Sequence, residues 1–250
     1  MNLTGTVSSH LGNLSSLISL DLRGNDFNIY LPSTIYNLTS LQIVDLTSNG
    51  LSGDLPDDLC HYFPKLEVLR LASNEFSGNV PSSLCDCTDL QNFSLSYNRF
   101  NGFIPRSIGN LTRIKEICLG GNSFQGEIPW EIGNLSSLEI FTAENNRVLT
   151  GGIPSSIFNI SSLTQLFFNN SLSCGLPDNM CNHLSKLEVL DVTFNGFTGH
   201  NPSSVGECSN LRNLSLSTNR FNGTIPRSIG NLTSLKGLSL RENDLTGKCF

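Results

Sequence analysis

The sequence predicts an α/β repeat solenoid. It would form a curved horseshoe with a ladder of short parallel strands on its concave side and 3₁₀ turns or loops on its convex side. Three observations predict it. Nine prolines (Pro32, Pro56, Pro81, Pro105, Pro129, Pro154, Pro177, Pro202 and Pro226) follow one another at intervals of 23 to 25 residues. Seven residues before eight of them stands an asparagine (Asn25, Asn49, Asn74, Asn98, Asn122, Asn170, Asn195, Asn219), and the ninth, Asn146, is slipped by one. Three residues before seven of them stands a glycine (Gly53, Gly78, Gly102, Gly126, Gly151, Gly199, Gly223), with Ile29 and Cys174 as departures. About ten units of about 24 residues therefore share one architecture. No single unit can bury its own apolar side chains, so residues 1–250 form one stacked domain without caps at either end.

Each position of the unit has a physical role. In Leu90-x-x-Phe93-x-Leu95-x-x-Asn98-x-Phe100-x-Gly102-x-Ile104-Pro105-x-x-Ile108-x-x-Leu111-x-x-Ile114, Phe93 and Leu95 flank one outward residue, the period-2 pattern of a short strand. Asn98 follows where the chain leaves the strand, and its amide can pair backbone groups that the bend strands. Gly102 supplies a positive φ, and Pro105 fixes φ as the chain enters the outer side in short 3₁₀ turns. Leu111 and Ile114 lead back to the core.

A longer period is superposed. Leu55–Leu69 resembles Leu176–Leu190, and Asn98–Leu111 resembles Asn219–Leu232, both at an offset of 121 residues. The reading is a duplicated block of five repeats, around 55–122 and 176–243. Met1 falls inside a repeat and the chain stops where Ile-Pro is due, so a fragment or truncated gene product is expected.

Composition narrows the function. The net charge of −6 offers no basic field for nucleic acid. No apolar run is long enough to span a bilayer, and residues 1–17 lack the pattern of a signal peptide. Eight cysteines and eleven Asn-x-Ser/Thr sequons nonetheless suit an oxidising, glycosylating compartment. The localisation expected is extracellular, either secreted or on the outer side of a plasma membrane.

The sequons counted as glycosylation candidates are Asn13, Asn37, Asn92, Asn110, Asn134, Asn159, Asn213, Asn222 and Asn231, besides Asn2 and Asn169. Six of them form one repeated Asn-Leu/Ile-Ser/Thr column. Cys60 with Cys87 and Cys181 with Cys208 occupy equivalent places 27 residues apart, which suggests two disulfides between adjacent repeats. Cys85 competes for Cys60, and buried free thiols are the alternative.

No catalytic, cofactor or metal set emerges. The four histidines (His10, His61, His183, His200) lie on different repeats, and the motifs of a kinase are absent. What remains is a surface. The outward residue of each strand gives the column Asp21, Asp45, Arg70, Ser94, Cys118, Thr142, Phe167, Asp191, Ser215, Ser239. Neighbouring columns add Arg23, Tyr97, Glu116, Glu144, Phe194, Arg241 and Glu242. The candidate ligand-binding residues are Asp45, Arg70, Tyr97, Glu144, Phe167, Asp191 and Phe194, because exposed aromatics among small polar groups anchor recognition surfaces. The acidic residues would suit a basic peptide.

The Leu-x-x-Phe-x-Leu-x-x-Asn unit is the leucine-rich repeat signature. Its Gly-x-Ile-Pro segments and Gly-Asn-Leu-Ser/Thr runs resemble the plant-specific class over essentially the whole chain. The LPDDLC, SSLCDC and PRSIGNLT phrases are most similar to ectodomains of plant receptor-like serine/threonine kinases of the immune-sensing subfamily. That resemblance implies a peptide or protein ligand, a co-receptor as a further partner, and a kinase domain that these residues lack. A secreted inhibitor similar to the polygalacturonase-inhibiting proteins is the rival reading, and a truncated paralogue without function of its own is the third.

Overall fold

The computed structural model describes residues 3–247. Ten parallel strands form one ladder, from Ser19–Asp21 and Ile43–Asp45 through Val68–Arg70, Asn92–Ser94, Glu116–Cys118, Ile140–Thr142, Gln165–Phe167, Val189–Asp191 and Asn213–Ser215 to Gly237–Ser239. Equivalent residues pair directly, as in Glu116 with Asn92 and Ile140, so the outward column runs unbroken from Asp21 to Ser239. The central side chain of each three-residue strand enters the core. Phe93, Ile117, Phe141 and Leu166 are all fully shielded.

A second parallel ladder forms after each strand exit. Seven strands, among them Arg99–Phe103 and Ser123–Glu127, end at Val148–Thr150, and three more resume at Thr198–His200. Partners here are 22 residues apart, as in Ser77 with Arg99, or 23, as in Ser52 with Glu75, against 24 or 25 in the first ladder. Each strand thus pairs two residues out of step with the repeat. Most of the outer side consists of five-residue 3₁₀ segments such as Arg106–Asn110, entered at a proline, while Met180–Asn182 is shorter and entered at Asn179. Leu59–Tyr62 is one α-turn, set in the longer outer loop before Lys65. Among the described residues no helix is long and apolar enough to cross a membrane.

The asparagine column is the main polar device of the fold. Asn122 donates through Nδ2 to the carbonyls of Leu119, Gly120 and, one repeat earlier, Leu95, at 3.0–3.2 Å, while its Oδ1 accepts from the Phe100 amide at 3.0 Å. Buried main-chain groups are thereby satisfied where the strand ladder ends.

The structure corrects one alignment. Asn146 makes the full set of these bonds, whereas Asn170 donates only to Ala143 and accepts from the Asn146 amide. Strand pairing sets the alignment, not the proline. Phe168 to Pro177 is one residue shorter than Leu95 to Pro105, and the loss falls just before Asn170. The second ladder is interrupted in that same repeat, although Ser173 N still donates to Gly151 O at 2.7 Å and Thr198 N to Cys174 O at 2.8 Å.

The glycine column needs glycine for two reasons. Gly102 has φ +73°, and a Cβ there would strike the Asn79 side chain of the preceding repeat. Ile29 and Cys174, the departures in sequence, keep the same backbone with φ of 67° and 73°. Cys174 fits because the preceding repeat places Gly152 where others place a covering side chain.

Leu214, which pairs with strands on both sides, is 1% exposed, whereas its equivalent Leu238 in the last described strand of the ladder is 47% exposed.

Candidate functional site

Three groups of side chains occupy the concave face. At its N-terminal end Asp45, expected to be exposed, is buried at 4%. Its Oδ1 accepts from the Thr47 amide at 3.1 Å, and its Oδ2 faces Arg23 at 3.7 Å and Arg70 at 3.9 Å. Strands lie only about 4.8 Å apart, so long arginines on either side close over a short aspartate. Asp45 thus serves the wall rather than the surface. Arg70 remains half-buried and paired with it. Most of the outward column is likewise half-buried rather than open.

At the C-terminal end Phe167 and Asp191 are ladder neighbours. They line a shallow groove of about 400 Å³ with Val189, Asn213 and Ser215. Asp191 caps its own strand exit, accepting from the Thr193 amide at 2.9 Å.

The centre holds Tyr97, Glu116, Cys118 and Glu144. Tyr97 is 57% exposed and Phe194 49% exposed. Both stand in the column just before the asparagine, where the backbone is left-handed, with φ of 56° and 54°. That conformation costs a bulky residue of order 1 kcal/mol or more, and Gly24 and Gly121 adopt it freely at equivalent places. Glu116 Oε2 accepts from Asn92 Nδ2 at 2.6 Å, and the Cys118 thiol donates to Glu116 Oε1 at 3.3 Å. Burial, and then the charge of Glu116, push the Cys118 thiol up to about 12.

Sequence reasoning passed over the Gly120–Gly121 pair. Its signal was legible: one repeat loses both side chains that follow the strand. A Cβ on Gly121 would overlap the Tyr97 ring, and one on Gly120 the Glu144 carboxylate. Two residues 47 positions apart are thus brought onto adjacent glycines.

A larger groove of about 750 Å³ on the flank also went unseen. Exposed Phe103 and Trp130 line it, with Pro105, Pro129 and Cys174.

The structure joins Cys60 to Cys87 and Cys181 to Cys208, with Cα–Cα distances of 5.2 and 5.1 Å. Cys85, Cys118 and Cys174 are free.

Asn13, Asn37, Asn110, Asn134, Asn159 and Asn231 each end a 3₁₀ segment and are exposed. Asn213 and Asn222 are exposed on strands. Asn92 is half-buried with its amide nitrogen bonded to Glu116. Asn2 and Cys249 lie outside the described residues. Among the described residues no three His, Cys, Asp or Glu side chains group as a metal site requires.

Two stacked parallel ladders, an asparagine spine and a left-handed glycine column define a repeat solenoid. The chain belongs to the leucine-rich repeat family. Models described as leucine rich repeat match five successive stretches from 16–38 to 113–135, and residues 185–245.

Among curated relatives, the LRR receptor-like serine/threonine-protein kinase GSO2 of Arabidopsis thaliana is 42% identical over 60 residues, which are 24% of this chain and 5% of that protein. Among solved structures, a TDR receptor superposes with a TM-score of 0.92 at 31% identity, over 98% of this chain and 42% of that one. The Arabidopsis receptor kinase HAESA, solved with the peptide hormone IDA and the co-receptor SERK1, gives a TM-score of 0.81 at 31% identity, over 98% of this chain and 45% of that one. The chain therefore spans less than half of these receptor structures.

Proposed function

We propose that this chain is the ligand-recognition segment of a plant receptor-like kinase involved in signalling or defence, and that it acts on the extracellular side of the membrane. A peptide or protein ligand lies across the concave strands, a co-receptor joins the complex, and catalysis belongs to a kinase domain outside these residues. One observation carries the reading. The concave ladder presents Tyr97, Phe167 and Phe194 beside Glu144 and Asp191, and Tyr97 and Phe194 hold a backbone shape that glycine would hold at lower cost. The likeness to HAESA, whose structure holds a peptide hormone and a co-receptor, supports it. The convex asparagines Asn13, Asn37, Asn110, Asn134, Asn159 and Asn231 would carry glycans away from the ligand.

The test uses the full chain, secreted from a plant host, as bait for a displayed random-peptide library. Recovered peptides should protect amides of Glu116–Cys118 and Gln165–Phe167 from hydrogen exchange. They should also lose binding to a Tyr97→Ala/Phe167→Ala/Phe194→Ala variant. Equal binding to that variant, or protection only on the convex side, refutes the reading.

A further inference from the structure

The acidic residues of the concave face are not equivalent. Asp21 and Asp45 already have cations, with Arg23 Nε 3.3 Å from Asp21 Oδ2 and both Arg23 and Arg70 within 4 Å of Asp45. Glu116 and Glu144 have none, since among the described residues no Lys or Arg nitrogen lies within 4 Å of either carboxylate. The Cys118 thiol donates to Glu116 Oε1 at 3.3 Å, and its ionisation is opposed by burial first and then by the charges of Glu116 and Glu144. Glu144 Oε2 is also buried and makes no hydrogen bond to the protein.

Geometry adds an aromatic wall. Gly120 and Gly121 leave a notch into which the Glu144 carboxylate and the Tyr97 ring fold from the repeats on either side. The Gly121 amide donates to Glu144 O and the Tyr97 amide to Gly120 O, each at 2.7 Å, so three consecutive repeats hold the notch. The ring rests on Gly121 and yet leaves 57% of Tyr97 exposed.

We propose that the exposed surface over this filled notch takes the side chain of one Lys or Arg residue of a peptide lying across the concave strands. It would be held by the carboxylates of Glu116 and Glu144 and covered by the face of Tyr97. The proposal rests on the peptide-binding reading above and assigns the subsite chemistry within it. An aromatic face and two carboxylates with no cation of their own complement a cation. A neutral side chain would leave both charges unpaired under the bound peptide, and an acidic one would be repelled.

The peptides recovered on the full chain supply the probe. The expected result is a Lys or Arg at one fixed position of the enriched sequences. Replacing it by norleucine should weaken binding to the wild-type chain about tenfold or more, the usual worth of a hydrogen-bonded charge. Glu144→Gln and Glu116→Gln should each weaken the parent peptide by a similar factor and leave the norleucine peptide unchanged, with stronger salt dependence for the parent than for the norleucine peptide.

Three results overturn the assignment: no enrichment of basic residues, equal affinity of the parent and norleucine peptides, or equal affinity of the Gln variants and the wild type for the parent. Peptides that bind the concave strands without a basic preference would sink this subsite alone. Failure to recover any concave-binding peptide would sink the peptide reading and the subsite with it. The norleucine comparison needs no protein variant, so it decides the matter even if a Gln variant folds poorly.

Discussion

Replacing Asn122 by alanine probes the device that stitches the repeats together. In the wild type the Phe100 amide, fully buried, has Asn122 Oδ1 as its acceptor at 3.0 Å. The substitution leaves that donor orphaned, at about 1–3 kcal/mol. Asn122 Nδ2 also serves three carbonyls, but each keeps another partner. Leu95 O retains Asn98 Nδ2 at 2.9 Å, Leu119 O retains Asn146 Nδ2 at 3.1 Å, and Gly120 O retains the Tyr97 amide at 2.7 Å. Their loss adds about 1 kcal/mol rather than three full penalties. The total is about 3 kcal/mol. Asn25, whose Oδ1 accepts from the exposed Leu3 amide, should lose only about 1 kcal/mol on the same change.

A long repeat stack need not unfold in one step, so the deciding measurement is local. Hydrogen exchange at the Phe100 amide should quicken by about a hundredfold in Asn122→Ala, with a matching fall in the urea midpoint. An unchanged Phe100 rate, or equal losses for Asn122→Ala and Asn25→Ala, would refute the view that the asparagine column stabilises by satisfying buried donors.

Other perturbations follow from the same geometry. Removing the Cys60–Cys87 bridge by a double change to serine should cost about 3.5 kcal/mol, the chain-entropy figure for a loop of 27 residues, read from denaturant unfolding with and without reductant. Gly102→Ala should destabilise by more than 1 kcal/mol, since its φ is +73° and the Asn79 side chain occupies the Cβ position. Cys174→Gly should instead stabilise by about 1 kcal/mol, because the same backbone there carries a side chain, and thermal unfolding of the pair would show opposite signs. The Cys118 thiol, pushed up to about 12 from 9.0, ionises later folded than unfolded. Its contribution to stability is full below pH 9 and is lost as pH rises toward 12. At pH 8 iodoacetamide should label exposed Cys174 well before Cys118, as peptide mapping would reveal.

Much of this molecule is legible in its sequence because each repeat touches only its neighbours, so a period along the chain becomes a translation in space. The outward column from Asp21 to Ser239, the alternation that buries Phe93 and Leu95, and the 3₁₀ segments after most of the spaced prolines all follow from local chemistry repeated at a fixed interval. Even the left-handed backbone at Ile29 and Cys174 is dictated by the stack, although their own identities argue against it.

What one line of residues could not decide is how side chains from different repeats share space. Asp45 reads as exposed, yet Arg23 and Arg70 close over it from the repeats on either side. Asn146 looks misplaced and Asn170 in place when counted from proline, and strand pairing reverses both. Tyr97 and Glu144 are remote in sequence, and only the stacking of three successive repeats seats them on two adjacent glycines. Exposure and convergence depend on lateral spacing across the sheet, a distance that the tertiary stack determines and the order of residues leaves unwritten.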